Sequence, residues 1–567
     1  MDEKESNTKN KVKYLYGAAV QGIQEFIFQT NKLKEIVGAS ELVEKICTSA
    51  LEELIEEICQ PQKFEEGKHG ETIVKAAGNI KHIFPEKSLC EAVVKNFPRK
   101  LMNMAPGITI SQAVVTLAAN EGDYEAQSNK LETLLRAQRN KASRSMSLGL
   151  MAVSRAPSTG LPAVEVQDGE LIDAASSEKL KHSTAKDLIE KSIGTIEKGK
   201  KIAYNIDDIT DTNNWIAVIH ADGNGMGNIF QNIGRKKENM KKVSPAVSRI
   251  TEYAAKQAFN TVKESFSGKK AIPVRPVVLG GDDVTLICRA DFALAYAKAL
   301  LEQFEAASKG KQIEVASERT KIEAAFEGTQ AASEVKKLGL KNLGLEFNNE
   351  NEKDNSLKAD IEKGLTACAG IVFVKASYPF HYAAHLAESL CVRAKKAAKG
   401  LEDPNGKEDA EKLPPSCLMF YKVQDSFVED FDEIVNRKLT PQSFLTFENG
   451  PYYCGERATA TAFGNQCSNT VEKLMKDVES LRNDKEAKGL KANLRQWIDL
   501  VINNVGFADQ KMKRIRNVSS FAKTFVGESF ESLSNKNNAA NNKNPIRIPF
   551  YDMLTLSSIN VTTKQPK

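Results

Sequence analysis

A chain of 567 residues with 41% apolar side chains is long enough for about three or four domains with full cores. Its 79 Lys and Arg against 74 Asp and Glu leave a net charge of +5, which permits contact with nucleotides or nucleic acid without requiring it. Nine cysteines without a Cys-x-x-Cys pair and six histidines without zinc-ligand spacing argue against a disulfide framework or a zinc ribbon and fit reduced, cytoplasmic thiols; an almost wholly polar Met1 to Lys11 and the lack of any long apolar run predict neither secretion nor membrane insertion.

Residues 12–120 read as an α/β domain. Lys13 to Val20 is a strand, Gly22 to Thr30 a loop and first helix, and Ala39 to Cys59 a second helix with apolar residues spaced by three and four. Thr72 to Phe84 reads as a hairpin turning at Ala77-Gly78-Asn79-Ile80, and Ile108 to Leu117 as a further strand. In residues 121–212 a basic helical stretch (Lys130, Arg136, Arg139, Lys141, Arg144) is either a solvated face or an RNA contact, and a turn-rich run, Ser154 to Val166, follows it.

Residues 213–400 hold the stretches with chemistry in them. Trp215 to Ile219 is a short apolar strand ending near Asp222, and Gly223, Gly225 and Gly227 lead towards a helix. Such a loop wraps phosphates with backbone N–H groups and a helix N-terminus. Val277 to Cys288 places Gly280-Gly281-Asp282-Asp283 between two β-rich runs, a hairpin with carboxylates at a tip expected to be exposed. Taken alone the tetrapeptide is also an ordinary surface turn. Together the two stretches predict a palm in which Asp222, Asp282 and Asp283 converge on two hard cations, Mg²⁺ or Mn²⁺. A charged insertion, 308–364, reads as a surface excursion. Thr366 to Val374 is a strand, and the helix after it ends in Arg393-Ala-Lys-Lys-Ala-Ala-Lys399.

Beyond a loop at Gly400 to Pro415, residues 416–567 begin with a strand at Ser416 to Tyr421. They continue with helical periodicity over Val471 to Phe507 and Met512 to Phe530, a cluster of Lys511, Lys513, Arg514 and Arg516, an Asn-rich stretch from Ser534 to Pro545 expected to be disordered, and a short terminal segment. The first domain looks like a worn copy of the third. Gly22 to Gly78 spans 56 residues and Gly223 to Gly281 spans 58, with Asn79 and Ile80 standing for Asp282 and Asp283.

Asp222 to Gly227, Gly280 to Asp283 and Leu365 to Lys399 resemble the motifs of the large, polymerase-like subunit of type III CRISPR effector complexes, whose palms are related to GGDEF and class III nucleotidyl cyclases. The resemblance implies an α+β chain: a degenerate ferredoxin-like palm at 12–120, an inter-palm segment at 121–212 without the family's zinc module, a catalytic palm at 213–400, and a mainly helical C-terminal domain at 416–567. It implies ATP as substrate and two Mg²⁺ or Mn²⁺ ions held by Asp222, Asp282, Asp283 and the Gly223 backbone. Nucleotide contacts fall to Gly223, Asn224, Gly225, Met226, Gly227, Asn228, Gly280 and Gly281, with Lys395 or Lys396 on the triphosphate. The product is then a nucleotide second messenger such as a cyclic oligoadenylate, and the partners are crRNA, target RNA and other effector subunits, or a second copy in a standalone enzyme. No His-Asp pair of an HD nuclease precedes residue 12, so DNA cleavage is not expected. The competing reading is a non-catalytic scaffold or RNA-binding subunit, against which the intact acids argue. A GGDEF diguanylate cyclase is disfavoured by the duplication and by the Asp-Asp ending of the hairpin.

Overall fold

The computed structural model describes residues 12–559 except 77, 119–123, 142–151, 197–198, 211–212, 267–270, 312–334, 348–351, 402–412, 425–429, 460–462, 464–465, 484–486, 519–521, 523–529, 531–532 and 534–544. Arg144, Ala77, much of the charged insertion and nearly all of the Asn-rich stretch therefore lie outside the described residues.

The first palm runs β1 (Lys13–Gln21), α1 (Ile23–Phe28), α2 (Leu33–Thr48), α3 (Ala50–Cys59), β2 (Glu71–Ala76), β3 (Asn79–Phe84), α4 (Lys87–Met104) and β4 (Thr109–Leu117). Its strands form one antiparallel sheet in the order β2-β3-β1-β4. The segment between the palms carries α5 (Tyr124–Arg139), a hairpin of β5 (Ala163–Gln167) and β6 (Glu170–Asp173), α6 (Ala174–Lys181), α7 (Asp187–Ile193) and the short β7 (Lys201–Ile202). Here α5 lies on the first sheet, burying Leu131 and Leu135.

The second palm repeats the order with β8 (Trp215–Gly223), α8 (Met226–Ile233), α9 (Lys237–Val262), β9 (Ala271–Ile272), β10 (Val274–Gly280), β11 (Asp283–Arg289), α10 (Ala293–Lys309), α11 (Glu352–Lys363), β12 (Ala367–Lys375) and α12 (Phe380–Lys399). Because β8 and β12 are apolar on both faces, they sit at the centre of a sheet covered by helices. β13 (Cys417–Lys422), read in the sequence as opening the C-terminal region, instead pairs in parallel with β12, and with β15 (Tyr452–Tyr453) it completes a six-stranded sheet, β10-β11-β8-β12-β13-β15.

The copies match most closely where glycine is obligatory. Gly22 and Gly225 are left-handed residues at the starts of α1 and α8, and Gly78 and Gly281 are left-handed at the two hairpin turns. Each pair is 56 residues apart, so Gly225 and not Gly223 is the counterpart of Gly22. Both hairpins also carry a register shift in their first strand, at Thr72/Val74 and at Pro276/Val278. In the first palm Ala18 stands opposite Ile80, and in the second Val284 opposite Ala221 sets Asp283 beside Asp222. By the glycine alignment Ala19 and Ile80, both buried, stand where Asp222 and Asp283 do, while the exposed Asn79 stands for Asp282.

After the small ladder of β14 (Leu445–Thr446) with β16 (Ile546–Arg547) come α13 (Val471–Asn483), α14 (Ala487–Asn503), α15 (Val505–Val518) and α16 (Pro549–Ser558). The helix expected to continue to Phe507 breaks at Asn504, whose side chain accepts the Phe507 N–H and restarts the chain as α15. Trp497 is fully buried edge-on to Phe550 and Phe530 at the centre of this region. Among the described residues no helix is long and apolar enough to cross a membrane.

Candidate active site

Strand β8 brings Asp222 and Gly223 to its end, and the β10–β11 turn places Asp282 and Asp283 alongside. From below, α9 fixes this turn: Gly281 N–H donates to Ser248 Oγ at 3.3 Å, and Thr251 Oγ1 donates to Gly281 O at 2.5 Å. On the other face lies α12, so close that a Cβ on Gly370 would sit 2.0 Å from Ala387 O. That contact brings Lys395 over the carboxylates. Its Nζ donates to Asp222 Oδ2 at 2.5 Å and to Gly223 O at 2.8 Å. Lys396 is exposed on the outer side of α12, so of the two lysines only Lys395 reaches the site.

The hairpin tip, expected to be exposed, is half-buried, because the two palms face each other across it. On one side a cleft of about 370 Å³ is lined by Gly22, Gln24, Glu25, Glu44 and Gly78 of the first palm and by Gly280 and Asp283 of the second. On the other a cleft of about 670 Å³ lies between Asn79, Lys81, Arg136 and Arg139 and the second palm's Gly227, Phe230, Arg235, Gly281 and Asp282. Arg136 and Arg139 were legible in the sequence only as an exposed basic helix. The fold turns part of that helix into a cleft wall, with Arg139 Nη2 3.5 Å from Asn79 Oδ1 and Lys81 paired with Glu132 at 2.7 Å.

Burial, and next the charge of Asp222, push Asp282 up to about 8 and Asp283 up to about 7. Once protonated, Asp282 can donate to Asp222, which raises it further. Asp283 keeps 34% of its side chain accessible, yet its Oδ1 is enclosed without a hydrogen-bond partner. His220 Nδ1 lies 3.5 Å from it but is engaged at 2.9 Å with Thr285 Oγ1. An enclosed, unsatisfied carboxylate oxygen beside two further carboxylates is costly without a cation, and an all-oxygen set suits a hard divalent ion. The residues therefore fit Mg²⁺ or Mn²⁺. The expected convergence is looser than the sequence implied: among the described residues no three His, Cys, Asp or Glu side chains close on one coordination point, since Asp222 is shared between Lys395 and Asp282.

The glycine loop divides into two parts. Asn224, expected to touch base or ribose, is wholly buried: its N–H donates to Thr366 O at 2.8 Å, its Nδ2 to Thr366 Oγ1 at 3.1 Å, and its Oδ1 accepts from Cys368 Sγ at 3.2 Å. It is a strut that fixes the loop. Met226 is likewise core, and Gly225 is held left-handed with Leu413 against it. Only Gly227 and Asn228, in the first turn of α8, face outwards. Sequence reasoning missed Thr366, Cys368 and His220, none of which stands in a motif. It also missed Glu388, two turns before Lys395 on α12, whose charge acts on both His220 and Asp283.

A pH dependence follows from the raised carboxylates. Between about pH 4 and their folded values the native state holds protons that the unfolded chain has released, so stability without divalent metal should fall as pH rises from about 4 and level off once pH passes 7 to 8. Glu41, Glu305 and Asp552, each buried and raised to about 7, tilt the same way. Thermal melting from about pH 6 to 8.5 should therefore show a decline, steeper in the wild type than in Asp282→Asn/Asp283→Asn, and reduced by Mn²⁺ in the wild type alone. Identical pH profiles for the two proteins would contradict the assigned burial.

Residues 215–342 match the family model described as the Cas10/Cmr2 second palm domain. No curated protein sequence matches the chain. Among solved structures, a chain of the Csm1–Csm4 cassette with AMPPNP aligns at a TM-score of 0.52 and 11% identity, over 98% of this chain and 70% of that one. The same cassette with pppApA aligns at 0.50 and 11%, with the same coverage. Residues 215–342 are therefore a Cas10-like second palm, set in a chain that shares its fold with a chain of the type III CRISPR Csm1–Csm4 cassette.

Proposed function

We propose that the chain is a metal-dependent nucleotidyltransferase or cyclase that converts ATP into an adenylate second messenger, a cyclic oligoadenylate or a relative of one, in antiviral defence. The observation that carries this reading is the enclosed, unpartnered Asp283 Oδ1 beside Asp222 and Asp282, at a turn shared by two clefts facing the degenerate palm. Asp222, Asp282, Asp283 and the Gly223 carbonyl would hold the ions, which supply a lowered pKa for the attacking ribose hydroxyl and charge for the departing pyrophosphate. The first-turn N–H groups of α8 at Gly227 and Asn228 bind phosphate oxygens. Lys395 moves between Asp222 and a phosphate oxygen as nucleotide arrives. On the first-palm side, Lys81, Arg136 and Arg139 supply the positive wall that a second triphosphate needs, which gives the degenerate copy a reason to persist without acids. Similar folds, described with AMPPNP and with pppApA in the Csm1–Csm4 cassette, support adenine nucleotides as ligands and a Csm4-like effector subunit as a partner.

The test is pyrophosphate release from ATP with Mg²⁺ or Mn²⁺, in the presence of target RNA and effector subunits. Lys395→Met should raise the KM for ATP and lower kcat by about 10²-fold, and should lower the melting temperature of the metal-free protein at pH 8, where Asp222 loses its cation. Unaltered kinetics in that variant would remove Lys395 from the site, and absence of nucleotide consumption under every condition would favour a scaffold.

A further inference from the structure

The charge of this protein is segregated. Residues 487–518, the pair α14 and α15, contain seven Lys or Arg against two Asp, a net of +5 that equals the net charge of the whole chain, so the remainder is balanced. One face of the pair is core, through Leu490, Leu494, Trp497 and Val501 of α14 and Ala508, Met512 and Ile515 of α15. Flanking that core, α15 presents Phe507, Lys511, Arg514 and Val518 at helical spacing, with Phe507 58% and Val518 78% exposed and Lys513 further round the helix. Elsewhere surface lysines find acids, as Lys237 and Lys241 do on Glu71 and Lys309 and Lys311 on Glu456. Among the described residues no ion pair is made by Lys491, Arg495, Lys511, Lys513 or Arg514. Lys511 donates instead to the neutral Asn493 Oδ1 and Gln496 Oε1, both at 2.8 Å. Of the two acids, Asp509 is buried and accepts the Leu533 N–H. Arg482 at the end of α13 adds to the crowding of Lys491 and Arg495.

The kind of partner follows from how the apolar residues are placed. Ile502, Phe507 and Val518 are single and separated by cations and amides, so they do not form the contiguous apolar centre that a stable protein interface needs. A lone exposed aromatic among unpaired cations instead fits a strand that offers phosphates to the cations and a base to the ring. We propose that the α14–α15 pair is a docking surface for single-stranded RNA, with Lys511, Lys513 and Arg514 on phosphates and Phe507 stacked on a base. The proposal depends on charge placement far in sequence from the aspartates and stands whether or not the chain consumes ATP.

Fluorescence anisotropy of the full chain with a labelled, unstructured RNA of about 15 nucleotides, across a salt series starting near 50 mM, tests it. The Lys511→Ala/Lys513→Ala/Arg514→Ala variant should bind at least about tenfold more weakly, with a log–log salt slope shallower by about two, as loss of three phosphate contacts requires. Phe507→Ala should weaken binding at least about fivefold without changing the slope. Phe507, Lys513 and Arg514 are exposed, so Phe507→Ala should melt like the wild type, and Lys513→Ala/Arg514→Ala, which keeps the Lys511 bonds to α14, should do so while still losing affinity and slope. The proposal is overturned if the wild type does not bind RNA at the lowest salt or if the triple variant keeps both affinity and slope. It is also overturned if polyglutamate of equal charge competes as well as RNA, which would identify an acidic protein as the occupant.

Discussion

Replacing Asp282 and Asp283 together by asparagine should lower turnover by at least about 10³-fold while raising the melting temperature of the metal-free protein at pH 8. Loss of activity alone would be ambiguous, because a damaged fold also loses activity. The stability change has the opposite sign from damage: both carboxylates are driven towards protonation by burial and by Asp222, and at pH 8 the wild type must hold most of that charge in a half-enclosed turn. Asparagine keeps the shape and removes the repulsion. In the first palm the corresponding pair is Asn79 and Ile80, and Asn79→Ala, which removes an acceptor 3.5 Å from Arg139 and no carboxylate, should leave turnover within about threefold. Equal losses from the two palms would mean that the duplication has not divided their roles.

The second large effect is expected from a residue with no chemistry of its own. Gly370→Ala places a methyl 2.0 Å from Ala387 O and 2.7 Å from Cys391 N, both backbone atoms of α12, so the strand or the helix has to move. Overpacking of this kind costs about 1–3 kcal/mol. Two turns beyond Ala387 the same helix carries Lys395 onto Asp222, and a displacement of about 1 Å there should cost roughly 10²-fold in turnover. Gly489→Ala, on α14 and outside the site, provides the control, because a Cβ there meets nothing within 4 Å. If Gly370→Ala melts and turns over like the wild type, the close approach of α12 is not what positions Lys395.

Much of this site was legible in the sequence because glycine and aspartate carry local constraints. A left-handed turn needs glycine at Gly281, the acids beside it gain meaning from Asp222 at the end of the neighbouring strand, and glycine intervals read as 56 and 58 residues recur in the two copies, the structure moving the second to Gly225. What was not legible depends on which way a residue faces. Asn224 sits inside the glycine loop yet points into the core, and nothing local distinguishes it from Asn228, which points out. Arg136 and Arg139 have the periodicity of a solvated face, and only the packing of α5 on the first sheet brings them to the second palm's hairpin. The β12–β13 pairing joins strands across a 41-residue separation, beyond the reach of any hairpin rule.

The central claim, that the second palm joins adenylates by releasing pyrophosphate, is tested most directly by mass spectrometry of the full chain incubated with ATP and Mn²⁺, with target RNA and effector subunits supplied. The expected result is a ladder or ring of adenylates with a matching yield of pyrophosphate, absent from Asp282→Asn/Asp283→Asn under the same conditions. Recovery of ATP unchanged with every metal and partner, or an identical product from that variant, would contradict it.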